Sequence, residues 1–306
     1  MRVFITGATG AIGTPLVSQL LDRGHTVIGT TRTPAKADAL RIRGAEAVEL
    51  DVLDRRAVRE AVAAAEPDAI VHQATALAGL SDFKHFDRSF ALTNRLRTEG
   101  TDALLGAAAE LGVPRFVAQS YTSWPYAREG GPVKTEDDPL DPAPAAQMRE
   151  SLAAIRHLEE AVVGFGGIAL RYGGFYGSPD DAQIALVRKR RFPLVGDGGG
   201  IWSFVHLEDA AAATILAVER GESGIYNVVD DEPAPVREWL PELANVLGAK
   251  PPRRIPTWLA RLAAGESGVV LMTDTRGASN AKAKRELGWR LRFPSWREGF
   301  RAAYGA

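Results

Sequence analysis

The amino-acid sequence predicts an α/β protein built on an open, doubly wound parallel sheet with helices on both faces. Short apolar runs typical of strands alternate with helical stretches through the first half of the chain. Most of these helical stretches are at least about ten residues long, long enough for right-handed crossovers between parallel strands. After residue 172 the alternation weakens and prolines become frequent. This change predicts a smaller, mainly helical C-terminal lobe.

The elements of the sheet domain follow in order from the amino terminus. Ile12, Leu16 and Leu20 recur at helical spacing before Gly24, a residue suited to a helix C-cap. Asp54 can cap a later helix by accepting bonds from free backbone N–H groups. The predicted strands are 3–6, 26–30, 45–50, 68–73, 115–120 and 167–171, and the predicted helices are 11–23, 34–40, 55–65, 88–111 and 143–163.

The second half of the chain first returns to the sheet and then builds the lobe. A helix over 209–219 and a strand over 225–229 are predicted to extend the sheet, and short helices fit 236–247, 256–264 and 280–287 between the prolines. We therefore predict one domain formed by residues 1–172 and 201–230, and a second formed by residues 173–200 and 231–306.

Composition excludes several classes of protein. The 306 residues include no cysteine, which excludes disulfides, thiolate zinc sites, iron–sulfur clusters and a cysteine nucleophile. Lys and Arg total 37 against 38 Asp and Glu, whereas a dedicated nucleic-acid binder carries a basic excess. No apolar run approaches the roughly 18 residues of a membrane-spanning helix, and the amino terminus does not resemble a signal peptide. We expect a cytoplasmic protein with no nucleic-acid or membrane partner.

A glycine-rich loop follows the first strand. Gly7, Gly10 and Gly13 lie between that strand and the first helix. In dinucleotide-binding folds such glycines permit a tight turn, a close approach to a pyrophosphate and tight helix–strand packing. The helix N-terminus, which includes Ala11 and Ile12, adds free N–H groups and a positive dipole end. The loop, with Thr9, therefore predicts a Rossmann dinucleotide site in the first domain, and leaves the second domain to bind the substrate.

The spacing of these glycines after Thr6 resembles that of the extended short-chain dehydrogenase/reductases, which include nucleotide-sugar epimerases and dehydratases. The resemblance continues in order through segments 51–52, 72–76, 170–172, 175–177, 204–209 and 286–289. It implies these cofactor contacts: Asp51 and Val52 at the adenine, Gln73, Ala74 and Thr75 beside the cofactor, Asn94 as a structural asparagine, and Tyr172 and Phe175 near the nicotinamide.

The residues after the second strand bear on the form of the cofactor. NAD-binding enzymes place a carboxylate there that binds the ribose hydroxyls. This chain has Arg32 at that point, and the next carboxylate is Asp38. The Arg32 guanidinium can pair with a 2′-phosphate, so we predict NADP(H) rather than NAD(H).

Members of this family usually act through a Ser or Thr, a Tyr, and a Lys four residues after the Tyr. The Tyr transfers a proton, the Lys lowers its pKa, and the hydroxyl polarises a carbonyl. The predicted helix 143–163 contains neither Tyr nor Lys. Aligning Glu160 with the family's helix glutamate puts Leu152 at the Tyr position and Arg156 at the Lys position. Arg156 could hold the ribose but is a poor acid, so the resemblance implies an atypical active site.

Hydroxyl groups are plentiful after the fifth strand, at the sheet edge where such folds bind ligands. We rank Thr122 and Tyr126 first as proton donors, and Ser120 next. Counting back from Tyr126 puts Thr122 at the family's Ser/Thr position, whereas counting forward from Phe116 gives Tyr121. Both alignments stay open.

Aromatic residues are frequent in the segments expected to border the cleft, which favours an apolar or aromatic substrate. The residues predicted to line the substrate site are Leu80, Phe83, Trp124, Tyr176 and Trp202. The leading hypothesis is an NADP(H)-dependent oxidoreductase that reduces a small or medium carbonyl-type or conjugated molecule. One alternative is a nucleotide-sugar epimerase or dehydratase, in which the basic residues 188–191 would bind a diphosphate. Another is a non-catalytic, NADP-binding sensor.

Two further expectations concern metals and assembly. No two histidines stand at metal-ligand spacing, so we predict no metal site. Apolar stripes on the predicted helices 88–111 and 143–163 match either the four-helix dimer interface of family members or ordinary core faces, which allows a homodimer.

Overall fold

Seven strands form the centre of the protein, whose computed structural model describes residues 1–77, 82–178 and 182–305. In chain order all the strands of the described residues are β1 (Arg2–Thr6), β2 (Thr26–Thr31), β3 (Glu46–Glu49), β4 (Ala69–His72), β5 (Arg115–Tyr121), β6 (Val133–Lys134), β7 (Ile168–Tyr172), β8 (Gly174–Tyr176), β9 (Leu194–Val195), β10 (Ile201–Trp202), β11 (Phe204–His206), β12 (Gly224–Val228), β13 (Ala234–Pro235), β14 (Arg254–Ile255) and β15 (Gly277–Ala278). The seven central strands are β1, β2, β3, β4, β5, β7 and β12. The helices are α1 (Gly13–Asp22), α2 (Pro34–Ile42), α3 (Arg55–Ala65), α4 (Phe86–Arg95), α5 (Thr101–Leu111), α6 (Arg149–Gly164), α7 (Ala182–Arg188), α8 (Leu207–Arg220), α9 (Val236–Val246), α10 (Thr257–Thr273), α11 (Ala281–Leu287) and α12 (Trp296–Tyr304).

The central sheet has the strand order β12-β7-β5-β4-β1-β2-β3, and each of its pairings is parallel. Strand β1 is the point where the order reverses: Val3 lies opposite Val27 of β2 on one side and Ala69 of β4 on the other. The predicted doubly wound parallel sheet is confirmed. In such sheets ligands bind beyond the carboxyl ends of the strands at this reversal.

Apolar side chains cover both faces of the sheet because its central strands are buried on both sides. On β1, Val3 and Ile5 join an apolar cluster beneath α1 and α8, whereas Phe4 points to the opposite cluster beneath α3 and α5. The sequence of β1 is therefore apolar at successive positions rather than alternating, as its central place requires.

The long helix predicted over 88–111 is divided in the structure. It runs as α4 and α5, joined by a π-helical turn at Leu96–Gly100, called here the π turn. Such turns insert an extra residue into a helix and are frequent at functional sites. Within the described ranges, no helix is both long and apolar enough to cross a membrane.

The C-terminal lobe has an aromatic core of its own. The rings of Trp202 and Phe204 lie 4.9 Å and 5.2 Å from that of Trp239. Strand β8 pairs in parallel with β11, which joins the end of the sheet to this core. The sequence did not predict α7, α12, the continuation of α10 to Thr273 past a break at Gly265, or the short strands of this half of the chain. In addition, α11 packs against α8 and β12 in the core of the sheet domain, although residues 231–306 were predicted to belong to the lobe.

The N-cap of α3 offers a direct test of one local prediction. The Asp54 carboxylate accepts bonds from the backbone N–H groups of Arg56 and Ala57, each at 3.0 Å. We expect Asp54→Ala to lower the free energy of unfolding by about 1 kcal/mol, whereas Asp54→Asn keeps an acceptor and most of the stability. Urea unfolding measures both, with the exposed Asp137→Ala as a control that stays within about 0.5 kcal/mol of the parent. Equal stability of the Ala and Asn variants would contradict the cap.

Candidate active site

The loop between β1 and α1 packs backbone against backbone. Gly7 has a φ of +76°, and a Cβ added there would lie 2.6 Å from the carbonyl oxygen of Gln73. A Cβ on Gly13 would collide with the carbonyl oxygen of Gly7. These two glycines therefore let the loop, the start of α1 and the end of β4 approach each other more closely than side chains allow.

The backbone N–H groups of Ala11, Ile12 and Gly13, at the entry to α1, have no backbone hydrogen-bond partner among the described residues. Ile12 occupies the N-cap position without a capping side-chain bond, and the first turn contains no acidic residue. Gly10 and Ala11 are exposed. A helix N-terminus with uncapped N–H groups and no competing carboxylate attracts anions. The cradle fits the pyrophosphate of a dinucleotide.

Arg32 follows directly after β2. It is exposed and has no hydrogen-bond or ion-pair partner among the residues that the structure describes. The Asp38 carboxylate, the next along the chain, lies 2.8 Å from the guanidinium of Arg41. The end of β2 therefore presents a free positive charge and no free carboxylate.

The structure brings most of the predicted cofactor residues to one edge of the sheet, at or after the carboxyl ends of β1, β2, β3, β4 and β7. These are Gly7, Thr9, Gly10, Ala11, Ile12, Gly13, Arg32, Asp51, Val52, Gln73, Ala74, Thr75, Tyr172 and Phe175. The buried Tyr172 hydroxyl receives a bond from Gln73 Nε2 at 3.1 Å and lies 2.6 Å from Thr214 Oγ1. Gln73 Oε1 is buried without a partner, which leaves an acceptor for a ligand at this edge.

His72 ties three elements together beneath the same edge. Its Nδ1 lies 2.7 Å from Thr6 Oγ1, and its Nε2 lies 3.1 Å from the carbonyl oxygen of Leu96 in the π turn. A carbonyl can only accept, so Nε2 carries the hydrogen. Burial lowers the pKa of His72 to about 4, and the ring is therefore neutral at physiological pH.

A buried polar network lies behind β5 and β7. The Glu159 carboxylate accepts bonds from Arg171 Nε and Nη2, each at 2.7 Å, and from Ser120 Oγ at 2.6 Å. Arg171 Nη1 also donates to the Tyr126 hydroxyl at 3.0 Å, which in turn donates to Asn227 Oδ1 at 2.8 Å. Burial raises the pKa of Tyr126, against the opposing charge of Arg171. This network joins β5, α6, β7 and β12.

The network bears on the three predicted proton donors. The hydrogens of Ser120 and Tyr126 are already donated within it. The Thr122 hydroxyl, in contrast, is buried without a hydrogen-bond partner, and so is that of its neighbour Ser123. Ser123 has a φ of +74°, a strained conformation of the kind that concentrates at functional sites. Catalysis by Thr122, Tyr126 or Ser120 stays a prediction.

Helix α6 contains neither tyrosine nor lysine at any of its described positions. Glu159 is its buried glutamate, whereas Glu160, used above for the family alignment, is exposed. The same spacing counted from Glu159 places Ser151 at the tyrosine position and Ile155 at the lysine position. Neither counting supplies an ionisable acid at the tyrosine position.

The side chains of Arg156 and Asn94 are hydrogen-bonded to residues outside the glycine loop. Arg156 Nη2 donates to the carbonyl oxygens of Leu140 and Asp141 at 3.0 Å and 2.9 Å. Asn94 Nδ2 donates to Ser151 Oγ at 3.1 Å and so joins α4 to α6. Their cofactor roles stay predictions. The observed hydrogen bonds show that both side chains link separate segments of the chain.

The predicted substrate residues fall into two groups. Phe83 and Trp124 belong to an aromatic cluster with Phe86 and Phe90, whereas Tyr176 and Trp202 lie in the core of the lobe. The Phe86 ring stacks on Phe90 at 4.2 Å and meets Trp124 edge-on at 5.3 Å. Leu80 lies outside the described residues.

Arg97, in the π turn, is a buried charged residue that the sequence analysis did not single out. Only 4% of its surface is exposed, and its Nε and Nη1 have no hydrogen-bond partner. Burial lowers its pKa to about 10, so it stays charged at neutral pH. The available signal was its spacing: Thr93, Arg97 and Thr101 recur every four residues, and all three are buried, which puts an arginine inside a buried helix face. No group of three or more metal-binding side chains occurs in residues 1–77, 82–178 and 182–305.

Comparison with known proteins places this geometry in a family. The profile of the NAD dependent epimerase/dehydratase family matches residues 3–229. The chain belongs to this family. The resemblance stated from the sequence is thereby confirmed, and the matched range spans the whole central sheet.

Two relatives by sequence are named reductases. The "3-diazoavenalumate denitrifying reductase" of a Streptomyces species is 44% identical over 98% of this chain and 99% of its own. A "4-hydroxy-2-methyl-3-oxo-4-farnesyl-3,4-dihydroquinoline-1-oxide ketoreductase" of Stigmatella aurantiaca is 28% identical over 94% and 92%. Among solved structures, the Thermus thermophilus UDP-glucose 4-epimerase in complex with NAD is 25% identical, with a TM-score of 0.75 over 99% of this chain and 98% of its own. These comparisons support an oxidoreductase that uses a nicotinamide dinucleotide.

The Glu159–Arg171 pair gives a test of the buried network. We expect Glu159→Gln to lower the free energy of unfolding by about 3 kcal/mol, because it leaves the buried Arg171 without a counter-charge. The matched control is Glu160→Gln, which removes an exposed carboxylate from the adjacent position and stays within about 0.5 kcal/mol of the parent. Urea unfolding compares the three proteins, and similar losses in both variants would refute the network's role.

Proposed function

We propose that the chain is an NADPH-dependent reductase that replaces the diazo group of an aromatic acid with hydrogen. The observation that carries the proposal is that α6 has neither tyrosine nor lysine at its described positions, together with the commitment of the Ser120 and Tyr126 hydrogens to Glu159 and Asn227. The name of the 44% identical Streptomyces relative supports it, since that protein is named for a diazo compound and for denitrifying reduction.

The chemistry explains why a site without the family's tyrosine on α6 suits this reaction. Reduction of a ketone leaves an alkoxide that needs a proton from a nearby donor. Replacement of an arenediazonium group needs no added proton: the C–N bond breaks, a C–H bond forms, and dinitrogen leaves with the positive charge cancelled. When bound, the nicotinamide supplies the hydride for this exchange. The protein then needs only to orient the aromatic ring and exclude water.

Aromatic side chains beside the sheet edge suit such a ring. Phe83, Phe90 and Tyr121 pack against the aromatic cluster while staying half-buried, so each keeps a surface that a substrate can contact. Stacked and edge-on arrangements of this kind stabilise aromatic pairs beyond their burial. The unpartnered hydroxyls of Thr122 and Ser123 lie at the end of β5 and offer hydrogen bonds to polar substituents.

The assay for this function is a comparison of substrates. Purified protein with NADPH and a diazotised aminohydroxycinnamate is expected to release one dinitrogen for each NADPH oxidised, measured by mass spectrometry and by nicotinamide absorbance against a protein-free control. Oxidation of NADPH with ketones but not with the diazo compound would overturn the proposal in favour of a ketoreductase. Interconversion of nucleotide sugars without net oxidation of cofactor would favour an epimerase, and cofactor binding with no turnover at all would favour a sensor.

The proposed preference for NADPH rests on the free Arg32 guanidinium at the end of β2. We expect Arg32→Ala to weaken NADPH binding about 10- to 100-fold, the loss of a charged hydrogen-bonding partner for the 2′-phosphate, and to leave NADH binding nearly unchanged. Fluorescence titration measures both cofactors. The exposed Arg43, at the other end of α2, provides the control variant Arg43→Ala. Tighter binding of NADH than NADPH by the parent protein would contradict this assignment.

A further inference from the structure

The π turn holds a buried cation whose counter-charge is missing. Arg97 is buried, and two of its guanidinium nitrogens are enclosed without a hydrogen-bond partner. Placing a charged group in the interior costs several kcal/mol unless an opposite charge and hydrogen bonds compensate it. A protein that keeps such a group in the unliganded state has a reason to do so, and binding an anion is the simplest one.

The nearby protein charges do not supply the compensation. Glu159 is the carboxylate that acts on Arg97 among the described residues, but both of its oxygens already accept bonds from Arg171. His72, also within electrostatic reach of Arg97, is neutral. Glu136 also acts electrostatically on Arg171, but no carboxylate among the described residues is hydrogen-bonded to the Arg97 guanidinium.

We propose that Arg97 binds a negatively charged oxygen of the substrate, either a carboxylate or a phenolate. The proposal rests on the proposed function for the aromatic class of that substrate. Arg97 acts electrostatically on Tyr121, the last residue of β5, and the unpartnered hydroxyls of Thr122 and Ser123 follow directly. In this proposal the guanidinium and these hydroxyls act together as a polar subsite that holds one end of an aromatic anion, while its ring stacks on the aromatic cluster.

The position of this subsite in the sheet separates it from the cofactor's phosphates. The glycine loop follows β1, whereas Tyr121 ends β5, two strands away in the order β1-β4-β5. Neighbouring strands lie about 4.8 Å apart, so the two strand ends are separated by roughly 10 Å. The anion bound by Arg97 is therefore assigned to the substrate rather than to the cofactor pyrophosphate.

The π turn explains how Arg97 reaches this place. The extra residue that a π turn inserts shifts the helix faces that follow it. Leu96, the first residue of the turn, is held by the bond between its carbonyl oxygen and His72 Nε2 at 3.1 Å. This bond fixes the turn against the end of β4, and Arg97 follows immediately inside the buried face.

The test measures binding without turnover. Protein saturated with NADP⁺ is titrated calorimetrically with hydroxycinnamate, with its methyl ester, which lacks the carboxylate, and with cinnamate, which lacks the phenol. Arg97→Met is expected to weaken binding of hydroxycinnamate about 10- to 100-fold. If the carboxylate is the bound group, the ester binds equally to both proteins; if the phenolate is, cinnamate binds equally to both. The matched control is Arg95→Met on the same helix, where the exposed Arg95 pairs with Glu99, and it leaves all three affinities unchanged.

A stability measurement separates ligand binding from a structural role. A buried charge without a bonded partner is costly, so Arg97→Met is expected to have an equal or higher Tm than the parent in the absence of ligand, and Arg97→Lys to recover part of the binding. Equal affinity of Arg97→Met and parent for hydroxycinnamate, or a marked fall in Tm or failure of the Met variant to fold, would overturn the proposal. If hydroxycinnamate binding depends on Arg97 but the protein does not reduce the diazo compound, the anion site is supported and the proposed reaction is wrong. If the protein reduces the diazo compound but binding does not depend on Arg97, the proposed reaction is supported and the anion site is wrong.

Discussion

The close contact between the loop after β1 and the end of β4 is the constraint on which the rest of the site depends. Gly7 turns with a positive φ because the backbone of Gln73 occupies the space that a side chain would need. Next to it, His72 is bonded to Thr6 on one side and to the π turn on the other. These contacts fix the glycine loop against the end of β4 and, through Leu96, fix the position of Arg97.

The Glu159–Arg171 network fixes the polar side chains around the end of β5. It takes up the hydroxyls of Ser120 and Tyr126, which by sequence are attractive proton donors, and uses them to connect β5, α6, β7 and β12. Buried polar groups of this kind are costly unless fully satisfied. The hydroxyls of Thr122 and Ser123, which follow β5, have no hydrogen-bond partner in the described chain and are therefore free to meet a ligand.

In the proposed enzyme, two arginines with different surroundings bind different groups: Arg32 binds the cofactor's 2′-phosphate and Arg97 binds the anionic oxygen of the substrate. Arg32 is exposed at the end of β2, where a free guanidinium suits a phosphate that arrives from solvent. Arg97 is buried and interacts electrostatically with Tyr121, and the low polarity of the interior strengthens a single charge interaction. With the aromatic cluster between α4 and the loop after β5, these groups favour a flat, anionic, aromatic substrate, and the proposed reaction needs no acid from the protein.

The sequence by itself determined the parallel sheet, the glycine cradle and the Asp54 cap, because each depends on residues close together in the chain: apolar periodicity, a strand–glycine–helix order, and a carboxylate three residues before an N–H group. The comparisons confirmed the family that these motifs indicate. The tertiary structure decided what depends on distant pairs. Ser120 and Glu159 are 39 residues apart and Tyr126 and Asn227 are 101 apart, so no local pattern could show that their hydroxyls are occupied. Likewise only the packing of the lobe shows that Tyr176 is buried in its core and that Trp202 packs half-buried against it. Arg97 lies on a helix that periodicity predicts correctly as helical, yet only the π turn and the packing of that helix against its neighbours make its charge a buried one.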